Sequence, residues 1–323
     1  MDIRVLSGAD VRRAVDMPAA IEAMREAFVA LSAGRAVAPV RLALESDRGT
    51  HLFMPGHLRE RGSLGAKIVS VNPDNPDRGL PVIHAVVLLV DPPTGRARAL
   101  MDGTWITALR TGAVGGLAAD LLARPEARVL TVFGAGVQAR TQVAAVRCVR
   151  TIEEVRIVAR TRASAERLAE EIQDVEVRVM ADRRAALEGA DIVVTATDSA
   201  TPVFDGRDIA PGTHVTGVGS FTPAMREVDT VLVGRARVFV DQRDAALEEA
   251  GDLAGPIADG DLTADVIVGE IGAVAAGTLP GRTSPDDITF FKSVGNAVQD
   301  VAVAARVLDV AERDGLGAVF SLR

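Results

Sequence analysis

Val129-Leu-Thr-Val-Phe-Gly134-Ala-Gly136-Val-Gln-Ala139 joins a short apolar run to a glycine turn and an opening helix. A strand must turn sharply here, which Gly134 permits. Gly136 leaves room for the backbone to approach a pyrophosphate, and Ala139 stands where a third small residue packs helix on strand. The amides and the positive dipole end of the helix then face the anion. Gly-x-Gly-x-x-Ala is a weak signal by itself. It gains weight because it follows a strand, opens a helix and lies inside an apparent βαβ unit. The reading is a Rossmann-type dinucleotide site with Gly134, Gly136, Val137 and Gln138 along the phosphates.

Downstream, strand and helix keep alternating. Strands are expected at 155–159, 175–179, 192–196, 214–218 and 238–240, with a helix over about 163–172. This rhythm belongs to a parallel, doubly wound sheet. The first of these strands runs out through Arg160-Thr161-Arg162. A carboxylate at this point would accept from the ribose hydroxyls and repel a 2′-phosphate, whereas two guanidiniums and a hydroxyl attract one. NADPH is therefore the preferred cofactor, with NADH also accepted; the plainer alternative is two solvated arginines. Thr197 follows the 192–196 strand, where ligands bind in such sheets, and is expected at the cofactor.

Upstream the pattern differs. A helix over 18–34 precedes alternating apolar stretches at 41–44, 50–54, 65–71, 84–90 and 97–101, with Asp91-Pro-Pro-Thr-Gly turning the last two into a hairpin. That is an antiparallel α+β region. A long helix rich in small residues, 106–123, leads into the glycine motif. A final helix, 293–314, sits outside the alternating region and is expected to return to the first domain. The expected organisation is a Rossmann domain, 122–291, inserted into a discontinuous domain of 1–121 plus 292–323.

Composition narrows the classes. Of 323 residues, 48% are hydrophobic and 25% charged, enough for a sizeable core, and the net charge of −8 argues against a general nucleic-acid or anionic-membrane binder. No apolar run reaches the length of a membrane span, and no secretory leader is evident at the start. The single cysteine, Cys148, falls in an apolar helical pattern and reads as core. A cytoplasmic location is expected. Of 36 basic residues only Lys67 and Lys292 are lysines, so each departs from the chain's habit of using arginine. His84 lies in a strand and faces either a pocket, the core or solvent. His51, His57 and His214 have no ligand spacing, so no metal is expected. Glu227 and Asp229 read as caps or ion pairs at a helix start, with Glu227 alternatively orienting a pocket group.

Met54-Pro-Gly, Gly65-Ala-Lys67, Gly79-Leu-Pro, Asp91-Pro-Pro-Thr-Gly, Met101-Asp-Gly, Ile106-Thr-Ala-Leu-Arg110-Thr-Gly-Ala, Asp191-Ile-Val-Val-Thr-Ala-Thr, Gly217-Val-Gly-Ser and Phe291-Lys292-Ser-Val-Gly, with the glycine motif, resemble the ornithine cyclodeaminase/mu-crystallin family over nearly the whole length. The resemblance implies a homodimer formed by the discontinuous domain. It implies a substrate carboxylate held by Arg41, Lys67 and Arg110, with Met54 nearby and Lys67 also a candidate proton donor. An ammonium beside two guanidiniums in a buried wall should lose its proton more easily. Thr111, Val218, Lys292 and Ser293 join Arg160, Thr161, Arg162 and Thr197 on the cofactor.

One departure matters. Ornithine cyclodeaminases and related alanine dehydrogenases carry an aspartate just after the glycine pair. Here Gly217-Val-Gly-Ser220 is followed by Phe221, which cannot shuttle a proton. The segment resembles that of Δ1-pyrroline-2-carboxylate reductases, with Phe221 packing on a flat cyclic imine. The expected activity is reduction of a cyclic ketimine carboxylate, five- or six-membered, to the cyclic amino acid. The alternatives are ornithine cyclodeaminase or alanine dehydrogenase activity with a substitute base, and a non-catalytic NADPH-dependent binding protein.

Overall fold

The structure, a computed structural model, describes residues 2–322. The chain divides into two compact units, Met1–Arg110 with Asn296–Arg323, and Thr111–Gly295.

The first unit is built on an eight-stranded sheet: β1 (Asp2–Leu6), β2 (Ala36–Val37), β3 (Leu42–Ser46), β4 (Gly49–Leu58), β5 (Ser63–Val71), β6 (Ile83–Val90), β7 (Ala97–Asp102) and, from the chain's end, β16 (Ala318–Ser321). Their order is β16-β1-β7-β6-β5-β4-β2, with β3 on β4. Pairing is antiparallel except between β1 and β7. Successive side chains alternate faces. On β5 this turns Gly65, Lys67 and Val69 inward and leaves Ala66, Ile68 and Ser70 on the other face. The C-terminal helix, Ala297–Asp314, packs across β4, β5 and β6 and against the helix Met17–Ser32. Gly56 permits this closeness, since a Cβ there would lie 2.9 Å from the Ala297 backbone.

The second unit is a parallel sheet of β8 (Val129–Phe133), β9 (Glu154–Val158), β10 (Glu176–Val179), β11 (Ile192–Thr195), β12 (His214–Gly217), β13 (Arg237–Val240), β14 (Ile267–Glu270) and β15 (Thr289–Lys292). The order is β10-β9-β8-β11-β12-β15-β13-β14, every pair parallel. This is the Rossmann-type fold, and chain order reverses between β8 and β11, where such sheets open a crevice for ligands. Valine and isoleucine dominate the central strands because both of their faces are buried. The small residues of the helix Gly103–Leu122 also have a use: at Gly115 a Cβ would collide with the Gln142 side chain of the helix Val137–Val149.

Several expectations change. Cys148 is exposed, not core. The buried stripe of its helix runs through Ala139, Gln142, Val143 and Val146, and position 148 turns off that stripe. The inserted unit ends at Gly295 and not at 291, because β15 pairs with β12 and β13 and carries Lys292 into the parallel sheet. At its other border it begins at Thr111, inside a helix. The sequence pattern does not reveal β1 and β16, nor β14 and β15.

Candidate functional site

In the first unit, Lys67 and Arg110 gather on one buried carboxylate. Lys67, inward on β5, lies opposite Met54 on β4 and shares its face. Met54 belongs to a small apolar cluster with Leu52, Val69 and Ala297. Lys67 Nζ donates to Asp300 Oδ1 at 2.9 Å and stands 2.8 Å from Oδ2. Arg110 Nε donates to the same Oδ1 at 3.2 Å, and Arg110 Nη1 donates to Gln299 Oε1 at 2.7 Å. Asp300 sits in the first turn of the C-terminal helix, where the helix dipole also favours negative charge. Arg41, half-buried just before β3, adds a third positive charge.

The consequence falls on Lys67. Burial first, then the charges of Arg110 and Arg41, lower its pKa to about 8 against the opposing pull of Asp300. An amine in this range exchanges protons readily near neutrality. Guanidiniums bracketing it suit a carboxylate ligand through paired charge-assisted hydrogen bonds. Arg41, Lys67, Arg110 and Met54 are thus brought into one neighbourhood. His84 is not: on β6 it faces away from the side that carries Lys67 and Val87, and is exposed.

Sequence reasoning missed Asp300 and Gln299. Their signal was available. They interrupt the run Ala297-Val-Gln299-Asp300-Val-Ala-Val, in which every residue is buried. A charge in such company needs a partner.

In the second unit, the glycine turn has the geometry a dinucleotide requires. Gly134 has φ +115°, and a Cβ there would collide with the Ala196 carbonyl. Gly136 caps the helix Val137–Val149 without any side-chain hydrogen bond, and nothing lies within 4 Å of where its Cβ would stand. The first amides of the helix are left for an anion. Ala139 is fully buried against β8, as a third small residue should be. Val137 is exposed and Gln138 half-buried beside this opening. A pyrophosphate therefore fits the residues present.

Past β9, Thr161 caps the helix Arg162–Glu171 by accepting from Ser164 N. The side chains of Arg160 and Arg162 are 86% and 82% exposed. Arg160 lies 3.8 Å from Asp198, and Arg162 pairs with Glu166 at 2.7 Å. Thr111 and Val218 are buried, the latter donating its amide to Thr195 O.

Lys292 and Ser293 correct an expectation. Both side chains are buried and engaged inside the protein. Lys292 Nζ is fully buried 2.8 Å from Asp252 Oδ2, and Ser293 Oγ donates to Asp241 Oδ2 at 2.8 Å. β15 is an internal strand, so a charge at its end has to find a counter-ion inside the protein. Glu227 is not a helix cap either, although Asp229 is, accepting from Leu232 N. Glu227 is buried, with Oε1 accepting from Thr197 N at 2.6 Å and Thr197 Oγ1 at 2.8 Å, and Oε2 from Gly219 N at 2.7 Å and Ser220 N at 3.1 Å. Burial raises its pKa, Lys292 opposes this and Asp252 adds to it.

The profile of the ornithine cyclodeaminase/mu-crystallin family matches residues 1–315. The chain belongs to that family. The chain is 38% identical over 319 residues to a Delta(1)-pyrroline-2-carboxylate reductase of Bacillus cereus, covering 97% of this chain and 98% of the other. Among solved structures, the Thermococcus litoralis Delta(1)-pyrroline-2-carboxylate reductase in complex with NADH and L-proline superposes with a TM-score of 0.95 at 37% identity, covering 98% of this chain and 99% of that one. An archaeal alanine dehydrogenase dimer with bound NAD gives 0.95 at 34% identity, with both chains fully covered. Among the described residues, no cluster of three or more His, Cys, Asp or Glu is placed to hold a metal, and no helix is long and apolar enough to cross a membrane.

Proposed function

We propose that this member of the family is an NAD(P)H-dependent reductase of a cyclic ketimine carboxylate, Δ1-pyrroline-2-carboxylate or its six-membered homologue. The observation that carries the reading is Lys67, buried on Asp300 between Arg110 and Arg41, with its pKa lowered to about 8. Arg110 and Arg41 hold the substrate carboxylate. Lys67 Nζ passes a proton to the ring nitrogen and is reprotonated from solvent. Gly134, Gly136 and the following helix amides would hold the pyrophosphate of a nicotinamide cofactor, which would supply the hydride that the reduction needs.

Phe221 excludes the competing chemistry at its own position. Amine oxidation with cyclisation, or ammonia addition to a keto acid, needs a base where this chain has a phenyl ring. An already formed imine does not. The similarity to a reductase solved with NADH and L-proline supports the same choice. A non-catalytic binding protein would have no use for a carboxylate clamp around a readily titrated lysine.

NADPH is favoured over NADH because Arg160, Thr161 and Arg162 stand where an acidic residue would repel the 2′-phosphate. The discontinuous unit is the substrate and dimerisation domain. Its sheet exposes Ile68 and Val86, with Leu42 and Leu44 on β3, an apolar surface that a second copy would cover. A monomer by light scattering at micromolar concentration would remove the dimer.

The test is cofactor oxidation with Δ1-pyrroline-2-carboxylate, Δ1-piperideine-2-carboxylate and pyruvate plus ammonia, together with cofactor reduction and ammonia release on L-ornithine. The cyclic imines should turn over fastest. Efficient ornithine conversion by the unmodified protein overturns the assignment.

A further inference from the structure

Four donors from two separate loops converge on the Glu227 carboxylate. Thr197 belongs to the loop after β11, and Gly219-Ser220 lead from β12 into Phe221. The two loops lie so close that a Cβ on Gly219 would collide with the Thr197 carbonyl and come 2.5 Å from Glu227 Oε1. The carboxylate is itself fixed from behind. Asp252 Oδ1 accepts from the amides of Glu227 and Val228 at 2.6 and 3.1 Å, and Asp252 Oδ2 holds Lys292. Glu227, Asp252 and Lys292 are all buried. Beyond Ser220 the loop closes on itself, with Ser220 Oγ donating to Met225 O at 2.8 Å and Met225 N to Thr222 O at 3.1 Å.

Three buried charges are an expensive way to join two loops, since apolar packing would cost less. A carboxylate nevertheless does something no neutral side chain does: both of its oxygens accept and neither end donates. An amide would turn an N–H against the donors of one loop, whichever way it faced. Both loops leave the C-terminal ends of neighbouring strands, the edge at which parallel sheets of this kind bind ligands.

We propose that Glu227 is a positioning residue, tying the loop after β11 to the loop after β12 so that Thr197 and Phe221 are preset in one arrangement before a ligand arrives. Asp252 and Lys292 hold it in place. The cofactor part of this inference rests on reading the second unit as the dinucleotide site.

Calorimetric titration of the full chain with NADH separates the two ideas. No binding by the unmodified protein refutes the dinucleotide reading and leaves Glu227 to the exchange measurement below. Given binding, a folded Glu227→Gln protein should show an NADH Kd raised at least about tenfold, with KM for NADH rising in step and kcat changing less. Asp229→Asn, which weakens the cap of the neighbouring helix Thr230–Arg235, should lower Tm and leave Kd unchanged. A Kd within about twofold of the unmodified value in Glu227→Gln overturns the inference. If that variant does not fold, amide hydrogen exchange on the unliganded protein decides. The Thr197, Gly219 and Ser220 amides should be protected like those of β11 and β12, and exchange at open-loop rates overturns the proposal.

Discussion

Asp300→Asn removes one negative charge and nearly preserves shape. Lys67 Nζ stands 2.9 and 2.8 Å from the two oxygens of Asp300, and both residues are buried. At an effective dielectric of about 20, charges this close attract by about 6 kcal/mol. Desolvation offsets part of that, and breaking a buried pair by deleting one partner costs about 3–5 kcal/mol. Asparagine still accepts one hydrogen bond, so a loss of about 3 kcal/mol is expected by denaturant unfolding. The catalytic effect has a definite sign. Asp300 is what holds the proton on Lys67 against burial, Arg110 and Arg41, which together bring its pKa down to about 8. A proton donor works in its protonated form, so kcat/KM should fall as pH rises through about 8 in the unmodified protein. Without Asp300 the fall should begin at least about one pH unit lower, a shift that requires only about 1.4 kcal/mol of the lost attraction. Initial rates of cofactor oxidation with Δ1-pyrroline-2-carboxylate across neutral and alkaline pH measure this. An alkaline limb that stays near 8, with a stability loss below about 1 kcal/mol, refutes the reasoning.

Gly136→Ala should leave Tm nearly unchanged, because nothing lies within 4 Å of the new methyl, yet weaken NADH binding about tenfold or more where the pyrophosphate must approach; equal Kd values would count against the cradle. Arg160→Asp should erase or reverse a preference for NADPH over NADH by about 10- to 100-fold, read by fluorescence titration, and comparable affinities in the unmodified protein would remove the premise. His214 is buried between Thr289 and Thr216, and burial, then Arg282 and Arg150, lower its pKa to about 3 from 6.5. The unfolded chain therefore takes up a proton below 6.5 that the folded one refuses until about 3, and stability should fall across that window by up to about 1.4 kcal/mol per pH unit. His214→Val should flatten this slope, and an unaltered acid profile would assign the loss to other groups.

What could be read from the sequence was local. Gly134 and Gly136 act within one turn of chain, so their spacing carried its geometry with it. Lys67 stood out because β5 alternates cleanly and because lysine is so rare here. Asp300 did not, since its partner is 233 residues away and a lone acid in a helix ordinarily faces water. Asp241 and Asp252 escaped for the same reason: each organises buried backbone amides or cations from distant segments, and nothing nearby in the chain announces them. The short strands β1 and β16 gave no periodic signal because their pairing comes from distant parts of the chain, β1 on β7 and β16 on β1. Lys292 and Ser293 carry no local sign that their side chains pair with Asp252 and Asp241, 40 and 52 residues away in the chain.

Both lysines are sealed inside the fold and ion-paired, Lys67 in the first unit and Lys292 in the second. The folded surface hence offers no side-chain ε-amine, its positive charge being guanidinium almost throughout. Reagents and enzymes that acylate, alkylate or conjugate lysine can reach Lys292 only when the surrounding structure opens, whereas Lys67 also meets whatever enters the substrate site. Pulse acylation followed by mass spectrometry would then act as a clock for the second unit, modified Lys292 timing its opening.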